Sequence, residues 1–122
     1  MTNSEEMGAF VNAYVPSIWA LEILLTLHAN PQRRWTAHDL LQELRASRTV
    51  IQSNLSRFEQ YGLIVGDEGH WYFAPANSWL RSMTDQLSAL YRERPVFTMG
   101  LITRTDPVSS LAEAFRIKRD EK

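Results

Sequence analysis

The chain has 122 residues, 44% hydrophobic and 22% charged, which suits one domain with a single core and excludes a solvated, disordered polypeptide. It carries no cysteine, excluding disulfides and thiolate metal sites, and its formal net charge of -1 sets it apart from strongly basic duplex binders. The acidic start MTNSEEMGAF lacks the order of a secretory signal. The longest apolar stretch, 18–27, contains Glu22 and is too short to span a bilayer, so a soluble cytoplasmic protein is expected.

In residues 1–15, Met7, Phe10, Val11 and Tyr14 recur at helical spacing and predict an N-terminal extension or short leading helix. Pro16 suits the first position of a second helix. Ile18, Trp19, Leu21, Leu24, Leu25 and Leu27 make that helix apolar on most sides, hence central and buried. Pro31 stops it by disfavouring helical geometry at Asn30. Arg33, Arg34 and Trp35 then read as a short extended connector.

Thr36, with Asp39 three residues on, forms an aspartate version of the capping box. Leu40, Leu41 and Leu44 give the following short helix, 37–45, one apolar face. Ala46 and Ser47 turn the chain, and Ser47 caps a third helix at about 48–61. There Ile51, Leu55 and Phe58 repeat at the period of a buried stripe, and Gly62 fits a left-handed C-cap. Leu63, Ile64 and Val65 begin a strand, Asp67-Glu68-Gly69 signals a turn, and residues 70–73 return as an aromatic strand closed by Pro75.

A long helix is predicted from Asn77 to about Arg94, with Leu80, Met83, Leu87 and Leu90 forming a seam suited to helix packing. Residues 96–103 are continuously apolar, and periodicity leaves helix and strand open; Pro95 as an opening residue favours helix. Asp106-Pro107 and Leu111, Ala112 and Phe115 predict a last amphipathic helix before a solvated tail. The expected class is mainly α with a small two-stranded antiparallel hairpin. Three segments are expected: 1–15, 16–76 and a helical 77–122.

The order of buried helix, short helix, tight turn, third helix, glycine and hairpin resembles the winged helix-turn-helix of bacterial transcription regulators, such as those of the MarR and ArsR families. The resemblance covers residues 18–75, a little under half of the chain. Its most specific part is Ile51-x-x-x-Leu55-x-x-Phe58-x-x-x-Gly62-Leu63-Ile64. In such families an apolar triplet locks the recognition helix and a Gly-Leu-Val/Ile unit starts the wing; Phe58 stands where leucine is usual. The resemblance implies a DNA-binding regulator with residues 48–61 in the major groove.

The residues agree on physical grounds. With Ile51, Leu55 and Phe58 turned inward, Arg48, Thr49, Gln52, Ser53 and Ser56 face outward, with Arg57 on the flank and no acid among them. Gln52 can pair with adenine, Arg48 with guanine, and Ser53 with base or phosphate. Thr36, Ser47 and helix N-terminal amides can hold phosphates. Arg33, Arg34 and Arg57 suit electrostatic contact. Between residues 31 and 57, five arginines stand against Asp39 and Glu43, a local surplus of three positive charges. The wing tip departs from a strong binder: Asp67 and Glu68 repel phosphate, so the wing is expected to stand clear of DNA. His70 reads as a structural strand residue.

Dimerisation through Leu80, Met83, Leu87 and Leu90 is expected, placing two recognition helices about one DNA turn apart. His28, His38 and His70 are scattered without metal-ligand spacing, and no phosphate loop, nucleophile elbow or paired-carboxylate pattern appears. No enzyme, metal, cofactor or membrane partner is therefore expected. Trp19, Trp35, Trp71, Trp79, Tyr72 and Phe73 are expected to fill a core or interface, with an apolar effector pocket as the alternative. The competing reading is a winged-helix module that binds a protein instead of DNA.

Overall fold

The computed structural model describes residues 3–105, so the helix expected from Asp106 onward lies outside the described residues. In chain order they form α1 (Asn3–Tyr14), α2 (Ile18–Ala29), α3 (Ala37–Leu44), α4 (Arg48–Tyr61), β1 (Ile64–Asp67), β2 (His70–Phe73), α5 (Ser78–Glu93) and α6 (Pro95–Thr105). The mainly helical class with a two-stranded antiparallel hairpin is observed. α2 begins two residues after Pro16, which precedes the helix instead of opening it. Among the described residues no single helix is long and apolar enough to cross a membrane.

The described residues divide into two compact units, one of residues 19–88 and one of the flanks up to residue 18 and from residue 89. In the flanking unit α1 packs on α6. Met7, Phe10 and Val11 of α1 are buried, as are Thr98, Leu101 and Ile102 of α6. Of the two forms expected for 1–15, the short leading helix is observed as α1, and the boundary between the two units falls within α5. Pro95 does open α6. The N–H and hydroxyl of Thr98 both donate to the Arg94 carbonyl, at 3.0 and 2.8 Å, satisfying the hydroxyl of a fully buried threonine.

In the larger unit α2 is the central helix, burying Ala20, Leu21, Ile23, Leu24 and Leu27. The capping box of α3 is complete: Asp39 N–H donates to Thr36 Oγ1 and Thr36 N–H donates to Asp39 Oδ2, both at 3.0 Å. α3 ends at Arg45, whose φ of 59° is left-handed. Such a conformation costs a non-glycine residue about 1 kcal/mol. Ser47 caps α4 by accepting from Val50 N–H at 3.1 Å, and Gly62 (φ 81°) ends it.

β1 and β2 pair from Ile64↔Phe73 to Asp67↔His70. Glu68 and Gly69 between them both have positive φ, the requirement of a tight type I′ hairpin turn. The connector before α3 is more than a linker. Trp35 and Trp71 exchange backbone hydrogen bonds of 2.8 and 2.7 Å, adding a one-residue third rung to the hairpin. Trp35 is buried, and its indole N–H lacks an acceptor among the described residues.

Asn77 caps α5 through its side chain, accepting from Leu80 N–H at 2.8 Å. Leu80, Met83 and Leu87 are buried within the single chain and Leu90 is partly covered. The stripe assigned to a dimer seam is therefore committed to the chain's own interior and offers a second copy little free apolar surface. A contact with no local signal joins α2 to α5: His28 Nε2 lies 2.7 Å from Asp85 Oδ1, its ring edge-on to Phe73. Of the aromatics expected inside, Trp35 and Phe73 are buried, whereas Trp19 and Trp79 stay 41% and 42% exposed.

Hydrogen bonds from the Thr36 backbone and hydroxyl, and then the Arg33 charge, hold the Asp39 carboxyl below its ordinary value of 3.8. A depressed carboxyl stabilises the fold above its unfolded pKa, and this contribution is lost as pH falls through the folded value. Thr36→Ala is expected to cost about 1 kcal/mol in urea denaturation at neutral pH. For Asp39→Asn, the deficit relative to wild type should narrow as pH falls below 3.8.

Candidate nucleic-acid interface

The candidate surface is the outer side of α4, and its composition follows from what the inner side buries. Ile51, Asn54, Leu55 and Phe58 are buried. At 3.6 residues per turn, Arg48, Thr49, Gln52, Ser53, Ser56, Glu59 and Gln60 then share one exposed arc of roughly 140°. The first turn holds no acidic residue.

The one carboxylate of α4 is engaged. Glu59 Oε1 accepts a 3.3 Å hydrogen bond from Trp71 Nε1, tying α4 to β2. Gly66, opposite Trp71 in the hairpin register, leaves room for this contact. A Cβ there would stand 2.8 Å from Trp71 Nε1 and 3.0 Å from Glu59 Oε1.

Asn54, absent from the expected site, organises the inner flank. Its Nδ2 donates to the Val50 carbonyl at 2.9 Å and its Oδ1 accepts from Arg57 Nη1 at 3.2 Å. Arg57 is thereby drawn back along the helix. Ser53 also folds onto its helix, donating to the Val50 carbonyl at 3.3 Å while remaining exposed. Ser47 and Thr36 both act as caps.

The two arginines before α3 are stacked and paired. The Arg33 guanidinium lies 3.6 Å over the Trp35 ring and 3.7 Å from Asp39. The Arg34 guanidinium lies 4.3 Å over Tyr72 and 3.8 Å from Asp67. These ion pairs are half-exposed and weak individually, but each turns an arginine toward a carboxylate. Arg34 thus offsets part of the acidity at the hairpin turn. Arg45 and Arg48 are exposed, and neither guanidinium has a hydrogen bond or ion pair among the described residues.

The residues expected at the interface therefore form two groups. Arg48, Thr49, Gln52, Ser53 and Ser56 are gathered on one helix face. Arg33 and Arg34 sit instead with the hairpin and its bridge, and Arg57 is held by Asn54. Arg45 lies outside the expected set, and no residue pattern at the turn between α3 and α4 marks it. His70 Nδ1 lies 3.2 Å from the Glu68 carbonyl and remains at the hairpin turn. No cluster of three or more metal-ligating side chains occurs among the described residues.

Comparison with family models, with curated proteins and with solved structures gives no match. Functional assignment therefore rests on the geometry.

Gly66→Ala is expected to break the Glu59–Trp71 contact and to destabilise the fold by about 1–2 kcal/mol, in the range for forced overpacking. Urea unfolding followed by tryptophan fluorescence measures it. A variant as stable as wild type would show that the indole shifts freely.

Proposed function

We propose that residues 19–88 form a winged helix-turn-helix that binds double-stranded DNA in a sequence-selective way, acting as a transcription regulator. The observation that carries this reading is the exposed arc of α4, polar and free of acid over its first turns, with its one carboxylate, Glu59, near the far end and hydrogen-bonded to Trp71. The acid-free first turns of such a helix suit entry into the major groove. α2 and α3 precede it as the supporting helices, and the β1–β2 hairpin follows as a short wing.

Gln52 and Arg48 are the base readers in this reading, bidentate to adenine and guanine respectively. Thr49, Ser53 and Ser56 contact base edges or phosphates, and Ser47 holds the start of the helix. The hairpin turn, with Asp67 and Glu68 exposed, stands off the duplex. Arg33 and Arg34 support the hairpin and reach phosphate only on leaving their carboxylates. A dimer on two half-sites would have to use surfaces other than Leu80, Met83 and Leu87.

The competing reading, a protein-binding module, draws on the acidic hairpin turn and the near-neutral charge. Selection of bound duplex from a random pool, followed by a salt titration, separates the two. DNA binding predicts an enriched site and affinity that falls steeply with salt. Gln52→Ala should cost about 1–3 kcal/mol on that site and relax preference at one position. No enrichment and no salt dependence would sink the DNA reading.

A further inference from the structure

Four described residues have positive φ: Gly62 and Gly69, where no side chain resists it, and Arg45 and Glu68. Glu68 lies in a two-residue hairpin turn that demands two such conformations in succession. Arg45 has no such company. Its backbone N–H closes α3 by donating to the Leu41 carbonyl at 2.8 Å, a bond that glycine makes equally well in this conformation. The backbone thus calls for glycine, and an arginine stands there.

Nothing within the described residues accounts for that side chain. The guanidinium is exposed, is stacked on no ring and is paired with no carboxylate, Glu43 two residues earlier included. This contrasts with Arg33, Arg34 and Arg57, each of which has a partner. A cation near the C-terminal end of α3 is favourable, but weakly so for an exposed group. Arg45 also sits three residues before Arg48, another unpaired guanidinium, across the turn that leads into α4.

We infer that Arg45 is a phosphate-contacting residue of the duplex interface, kept in a conformation unfavourable to it because its charge is needed at the turn between α3 and α4. The inference rests on the DNA-binding reading above and adds a residue and a division of labour to it. Arg45 supplies affinity without sequence information, while Gln52 supplies selectivity.

The test compares wild type, Arg45→Gly and Arg45→Lys on a mixed-sequence duplex of about two helical turns. Arg45→Gly is expected to melt about 3 °C higher, because the left-handed cost is removed. The same variant should bind the duplex roughly tenfold more weakly at low salt. Its slope of log affinity against log salt should be smaller by about 1. Arg45→Lys should restore most of the slope. A glycine variant that is more stable yet binds as wild type does would reduce Arg45 to a helix cap and overturn the inference. A less stable glycine variant would overturn its premise. The DNA reading is judged separately, on wild type alone: without salt-dependent binding there, both fall.

Discussion

The buried stripe of α4, Ile51, Leu55 and Phe58, sets the constraint on which the rest of the larger unit depends. Once these side chains leave water, the helical period obliges Arg48, Thr49, Gln52, Ser53 and Ser56 to face it. The ends are equally determined. Ser47 satisfies an amide at the start, and Gly62 takes the left-handed turn that sends the chain into buried Leu63 and Ile64. The hairpin therefore begins where α4 stops, and Trp71 reaches back to Glu59 across the cleared space at Gly66.

Electrostatics in this region is a matter of pairing more than of count. The local surplus of three positive charges is read correctly from the sequence, but its distribution is not. Arginine stems are long enough to find an aromatic face and a carboxylate together, and Arg33 and Arg34 each do so. What remains unpaired is concentrated at Arg45 and Arg48, at the turn into α4. The same pairing tempers Asp67, whereas Glu59 keeps its charge and is only hydrogen-bonded to Trp71.

Elements with local signals were legible. Thr36 with Asp39, Ser47 with its helix, Gly62, and Asp67-Glu68-Gly69 each act within a few residues, so spacing alone reveals them. The Leu80, Met83 and Leu87 stripe was equally visible, yet its destination was not, because an apolar face reads identically whether its partner is the same chain or another copy. Pro16 shows a smaller limit: it is compatible with a first helical position, but α2 starts at Ile18.

The sequence by itself determined the helices and hairpin with their caps, and which face of α4 is polar, since these follow from residue period and short-range hydrogen bonding. Only the tertiary structure decided that Trp35 pairs with Trp71, that His28 meets Asp85, and that α1 lies against α6. It alone decided which arginines are occupied and that Arg45 is left-handed. The physical reason is common to all of these. Contacts between residues distant in the chain, and the φ a turn must take to permit them, depend on how elements pack, and no local pattern of side chains encodes that packing.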